Sequence, residues 1–277
     1  MRTQSSCLLA VLLSAMNPLL VCEADEPSES SESVKQVHAA LSNYDAQLVG
    51  ASAATEVTLS PRPLLTFGDA ARNNEGGSLW VWAAGQRPLA FIEVYRPGGN
   101  DPNWIHAITL ASEQRLDLKL SDSQSWRPAK SQRQPKRCPD DVAAVADSPV
   151  QRLRQMKDIS RHLSAHEFWD PNNSRFELRL LVQPMYRYQD EAAKIVDASV
   201  FALAHGTNPE VLVFIEAVRD NGTPAWHYDF IRLGSAEMHV LWDDKEIWTA
   251  PRTPGVVGQP TDPYWIAVLR DPTRNPN

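Results

Sequence analysis

A few carboxylates and histidines have the types and spacing from which a catalytic or metal site could be assembled. Glu93 and Glu216 end matching triplets, Phe91-Ile92-Glu93 and Phe214-Ile215-Glu216. Side chains alternate along a strand, so Glu93 shares a side with Phe91 and Tyr95, opposite Ile92 and Val94, and is expected on a partly buried face. A buried carboxylate has to be neutral, paired or bound to a metal. Two such groups facing each other would form the pair on which acid and base hydrolysis depends; the plainer alternative is an exposed face or a structural ion pair. His227 and Asp229 also share one face of a strand, and His239 lies on a following strand. Two imidazoles and a carboxylate are a candidate metal set, although no short ligand motif marks them. His106 takes the place of Asp229 in the first half when Leu110 is set against Leu233. His162 and His166, followed by Glu167, stand four apart and on a helix would share a face. Their order, HxxxHE, differs from the HExxH of zinc proteases, in which the glutamate lies between the histidines.

Nucleophile motifs are missing: the sequence has no GxSxG, P-loop, GxGxxG or CxxC. Ser78 and Ser199 begin equivalent strands, but no local histidine or aspartate is placed against either. Cys138 lies between Arg137 and Pro139, where neighbouring cations would favour a reactive thiolate and a loop setting favours an inert one. The nine tryptophans are either core or rigid contact residues, with Trp104 and Trp226 the candidates for binding. No cofactor is implied.

The elements that would position these residues repeat along the chain. Glu56-Val57-Thr58-Leu59 lies over Glu177-Leu178-Arg179-Leu180 at an offset of 121, and Ser78 to Pro88 lies over Ser199 to Pro209 at the same offset without a gap. Two residues are then inserted in the second half, so that Glu93 meets Glu216. Further on, Trp104 meets Trp226. Matched Gly and Pro fall at turns and matched apolar residues in strands, which points to a duplicated unit. In each copy apolar residues at helical spacing predict one amphipathic helix, over about 34–48 and 150–167. Short alternating runs then predict about five antiparallel strands. The expected fold is α+β, a tandem duplication of one helix packed on an antiparallel sheet. The copies are expected to pack through Trp80, Trp82, Phe201 and Leu203, or else to leave an exposed aromatic patch.

The rest of the chain frames these units. Residues 1–24 read as a signal peptide: Arg2, an apolar run from Cys7 to Val21, and Cys22-Glu23-Ala24 before a cut. Lipidation at Cys22 is disfavoured by bulky Val21. Residues 25–33 form an acidic, Ser-rich tether, 34–120 the first unit, 121–151 a basic, Pro-containing linker, 152–248 the second unit and 249–277 a Pro/Gly-rich tail. The tail's Tyr264 to Leu269 is a candidate edge strand for the first unit. Cleavage would leave Cys138 as the only cysteine, so no internal disulfide is expected. No transmembrane segment is expected after cleavage. A net charge of −7 argues against general nucleic-acid binding. The basic run from Arg127 to Arg137 reads as a solvated linker.

Three stretches resemble a group of exported planctomycete proteins with no assigned activity. They are EGGSLWVWAAGQRPLAFIEVY at 75–95, FELRLLVQPMYRYQD at 176–190 and DASVFALAHGTNPEVLVFIEA at 197–217, with Trp226 and the Val240-Leu241-Trp242 to Glu246-Ile247-Trp248 segment beyond. The resemblance implies a secreted or periplasmic protein and brings no catalytic residues with it. The function expected is structural or binding, toward an envelope protein or a small ligand. The alternative is a hydrolase, metal-assisted or not, working near His227, Asp229 and His239 or between Glu93 and Glu216.

Overall fold

A computed structural model describes residues 29–50, 56–69, 72–98, 101–220, 222–255 and 257–271. The expected signal peptide lies outside the described residues. The chain runs α1 (Glu29–Leu41), β1 (Asp45–Leu48), β2 (Val57–Leu59), β3 (Leu65–Asp69), β4 (Asn74–Ala84), β5 (Arg87–Pro97), β6 (Asn103–Leu110), β7 (Leu116–Lys119), β8 (Ser125–Trp126) and β9 (Lys136–Arg137). It continues with α2 (Pro149–Ser160), β10 (Leu163–Phe168), β11 (Arg175–Asp190), β12 (Ile195–His205), β13 (Asn208–Asp220), β14 (Thr223–Arg232), β15 (Glu237–Trp242), β16 (Lys245–Ala250) and β17 (Tyr264–Arg270).

Both helices are shorter than their apolar spacing predicts, and each gives way to a strand. Helix α1 begins inside the acidic segment read as a tether and stops at Leu41. There Ser42 and Asn43 turn their side chains back onto the carbonyls of His38 and Ala39, satisfying the helix end. Ala46 and Leu48 then alternate toward the core on β1, which pairs with β7. Ser148 caps the start of α2 by accepting from the Gln151 amide, and Pro149 follows in the first turn. The helix ends at Ser160, so His162 stands in a turn and His166 on β10, not on a shared helical face.

Among the described residues the strands form three antiparallel sheets. One has the order β17-β6-β5-β4-β2, with β3 also on β4; a small one is β1-β7-β8; the largest is β16-β15-β10-β11-β12-β13-β14-β9. More strands accompany each helix than the five expected, because β1, β3, β8, β10 and β16 are too short or too mixed in polarity to stand out by alternation. The largest sheet curls around α2. Tyr228 on β14 comes within 5.4 Å, ring to ring, of Trp242 on β15, and Phe230 within 5.8 Å of Trp248 on β16. Met156 and Ile159 of α2 fill that hollow with Phe201, Leu203, Val213 and Met238. Val37 and Leu41 of α1 do the same in the first half with Trp80, Trp82, Trp104 and Trp126.

Part of the pairing in the two larger sheets, β2, β3, β4 and β5 against β11, β12 and β13, runs in the same register. Leu59 opposes Trp82 as Leu180 opposes Leu203; Leu65 opposes Leu79 as Tyr186 opposes Val200; Phe67 opposes Gly77 as Tyr188 opposes Ala198. Trp80 opposes Ile92 as Phe201 opposes Val213, and Ala84 opposes Arg87 as His205 opposes Asn208. In each case both partners move by 121. The bulges coincide too, after Trp82 and after Leu203.

The sheets meet back to back through Leu79, Val81 and Phe91 on one side and Ala198, Val200, Ala202, Leu212 and Phe214 on the other. This corrects the expected contact. Trp80 and Trp82 face their own helix, and the smaller alternate residues make the seam. Large flat indoles fill the concave hollow, whereas the two facing sheets meet mostly over smaller aliphatic side chains. Phe91 and Phe214 cross the seam edge to face, with ring centres 6.2 Å apart.

The linker is not a solvated strap. Trp126 is fully buried in the first core, with its Nε1 donating to the Asp262 carbonyl at 2.9 Å. Strand β9 pairs with β14, and the tail forms β17 on the free side of β6. No helix among the described residues is long and apolar enough to cross a membrane.

A polar cavity and two ion-pair clusters in the seam

Polar groups line both ends of the seam. At one end the linker inserts Arg133, buried to 5 % side-chain exposure, between the sheets. Its Nε donates to Asp229 at 2.5 Å, one Nη to Glu216 at 2.8 Å and the other to the Ala111 carbonyl at 3.1 Å. The guanidinium lies 3.9 Å over the Phe214 ring. Tyr188 donates its hydroxyl to Glu216, and Asp229 also accepts from the Gln134 and Phe230 amides. Burial alone would raise the Glu216 carboxyl, but Arg133 and Tyr188 together hold it below the usual carboxylate range. Burial wins at Asp229 and lifts its carboxyl despite Arg133. Burial pushes the Tyr188 hydroxyl well above its usual range, so it remains a donor.

The other end holds a cavity of about 80 Å³, well above the ~10–15 Å³ that one water needs. Glu93, Tyr95 and Ala107 of the first sheet, Phe67 of β3, Tyr264 of β17, and Asn208, Glu210 and Leu233 of the second sheet line it. Arg72 closes it, donating to Glu167 at 2.7 Å and to Glu210, with its guanidinium 5.1 Å from the Trp169 ring centre. His205 Nδ1 lies 2.9 Å from the same Glu167 oxygen, and Asn208 donates to Glu210 at 3.0 Å. A Cβ at Gly234 would overlap the Glu210 carboxylate, so glycine is what lets that carboxylate lie against the backbone. Burial, reinforced by Tyr95 and Glu93 nearby, keeps the Tyr264 hydroxyl protonated.

The residues singled out in the sequence are distributed differently. Glu93 and Glu216 are both buried in the seam, at 3 % and 4 % exposure, but they are neither equivalent nor a facing pair. Glu93 opposes Leu79, the register of Phe214 against Val200, while Glu216 opposes Ala198 in the register of Tyr95 against Gly77. The two-residue insertion inferred from the Phe-Ile-Glu triplets is therefore absent from the ladder. Likewise the counterpart of Asp229 is Ala107, not His106. His106 is wholly buried on the opposite face, 3.0 Å from the Tyr44 hydroxyl, and burial pushes its pKa down to about 4.

His227 and Asp229 share the seam face of β14, whereas His239 lies on β15, separated from β14 by β10 to β13 in the sheet order. His227 is 3.2 Å from the Ala225 carbonyl. His239 is held by Glu246 at 2.7 Å and Glu237 at 3.1 Å and stacks on His166 at 4.8 Å between ring centres. Those carboxylates outweigh burial and raise the His239 pKa, while burial, Arg175 and the His239 charge lower that of His166. Among the described residues no group of three or more histidine, cysteine, aspartate or glutamate side chains could hold a metal ion.

Trp104 and Trp226 are core residues, 2 % and 4 % exposed. Ser78 accepts from the Trp80 indole at 2.9 Å, and Ser199 is buried behind the seam. Cys138 is buried against the second core, and burial pushes its thiol up to about 12, so its neighbouring cations do not activate it. Sequence reading missed Arg72, Arg133, Glu210 and Tyr264. Their only signal is negative: charged or phenolic residues in segments taken as linker, turn or tail. Compared with known protein families, characterised proteins and solved structures, the chain gives no match.

Proposed function

We propose that the chain is a tandem duplication that acts as an exported binding protein of the cell envelope, with its ligand site in the seam cavity. The shared offset of 121 across strand pairs and bulges supports the duplication, since unrelated meanders have no reason to place their irregularities at the same register. Export rests on the basic, apolar and small-residue succession of the first 24 residues.

One observation carries the binding reading: the cavity is enclosed by residues of both halves and the tail, and the charged groups at its mouth are held by each other. Interfaces between units are where small-ligand sites concentrate, and a preorganised polar lining binds without the cost of rearranging. Its size suits a group of a few heavy atoms. A hydrolase reading has no comparable support, because Glu216 is engaged by Arg133 and Tyr188 at the opposite end of the seam.

A fragment screen followed by thermal unfolding tests this function. Fragments that stabilise the wild-type chain should lose their effect in Ala107→Leu, which fills the cavity from β6. Stabilisation that survives the filled cavity refutes the site.

A further inference from the structure

The cavity and the Arg133 site are the same place in the two halves. Arg133 is bounded by Tyr188, Phe214, Glu216, Asp229 and the Ala111 carbonyl. In the pairing register these residues correspond to Phe67, Glu93, Tyr95, Ala107 and Leu233. The last pair is fixed by the amides of Ala111 and Leu233, which donate to the carbonyls of Leu89 and Glu210. All five counterparts line the cavity. One half thus fills this position with a guanidinium from its own linker, and the other leaves it hollow.

We infer that the cavity takes a small organic cation, a guanidinium or primary ammonium group, in the seat that Arg133 occupies at the opposite end of the seam. Three features favour a cation over a neutral or anionic group. The carboxylate is displaced but retained: Glu93 stands where the Phe214 ring underlies Arg133. Ala107 in place of Asp229 makes the room. Two carboxylates, Glu93 and Glu210, line the cavity beside Arg72, which Glu167 also shares, and the charge of Arg232 acts on Glu210 from nearby. Arg232 nearby stacks 5.1 Å from Tyr264 and donates to the carbonyls of Gly234, Ala236 and Pro251. A cation there would donate charge-assisted bonds to carboxylates already in place.

This inference rests on the cavity being a ligand site, and the test separates the two claims. Methylguanidinium and its neutral isostere N-methylurea are titrated calorimetrically into the full chain and into Glu93→Gln and Ala107→Leu, with thermal unfolding recorded for each. The expected result is saturable binding of methylguanidinium alone, weakened about tenfold or more by Glu93→Gln and abolished by Ala107→Leu. Equal binding of both probes, or an unchanged affinity in Glu93→Gln, overturns the cation assignment; loss in Ala107→Leu then still upholds the site. No binding of either probe, or binding that ignores Ala107→Leu, overturns both. Tyr95→Glu, which restores a carboxylate at the position of Glu216, should tighten methylguanidinium binding, a gain that a misfolded variant cannot produce.

Discussion

At the scale of single residues, the chain buries its titratable groups in two distinct ways. Arg133, Glu216 and Asp229 are buried together as an ion-paired cluster, whereas His106 is buried beside Tyr44 with no ionic partner among its hydrogen bonds. The second arrangement makes stability depend on pH. The folded pKa of His106 is lowered from 6.5 to about 4 by burial, so between those values the unfolded chain binds a proton that the folded chain refuses. Its contribution is therefore complete above pH 6.5 and is lost as the pH falls toward 4, by at most about 3 kcal/mol. Urea unfolding of the wild type and His106→Gln across this range should show the difference between them shrinking as the pH falls. A constant difference would mean that His106 protonates freely in the fold.

At the scale of elements, the two long hairpins do more than fill a sheet. The β12–β13 turn reaches across the seam, where Thr207 exchanges hydrogen bonds of 3.0 Å with the Gly68 amide and carbonyl. The β4–β5 turn reaches back, with Arg87 on Asp190 at 3.0 Å and the Gln86 carbonyl accepting from Tyr186. Each turn depends on a left-handed glycine, Gly85 at φ 57° and Gly206 at φ 60°. Space around both is open, so a substitution there costs backbone strain alone. Gly206→Ala should destabilise by about 1–2 kcal/mol, read from the urea midpoint at unchanged m-value. An effect near zero would show that the turn tolerates another conformation.

At the scale of the whole molecule, the linker joins the two halves as a wedge. Arg133 comes from residues between the units, yet it satisfies two acids of the second sheet and a carbonyl of the first. Removing it leaves two buried carboxylates without a counter-charge, which in comparable settings costs about 3–5 kcal/mol. Arg133→Met should lose stability on that order. The wild type should unfold in one calorimetric transition, because the seam and the wedge leave neither half complete by itself. Two separate wild-type transitions would show that the halves are independent and that the seam is weak.

The sequence by itself determined the local grammar: two helices, the main strands, the turns at Gly85 and Gly206 and the matching order of the halves, because alternation and turn chemistry act over a few residues. Even there it misread register. The two Phe-Ile-Glu triplets look aligned in one dimension, but the bulges after Trp82 and Leu203 count the same, and Glu93 falls on Phe214 rather than Glu216. Only the tertiary structure decided which face of each sheet became the seam, that the tryptophans turn inward to the helices, and that an arginine from an apparently solvated linker would be buried there. Such choices depend on long-range packing and on which charges find partners in the interior. The candidate site is legible only at that level: Glu93 was visible from the start, but the residues that give it a cavity come from three separate stretches of chain.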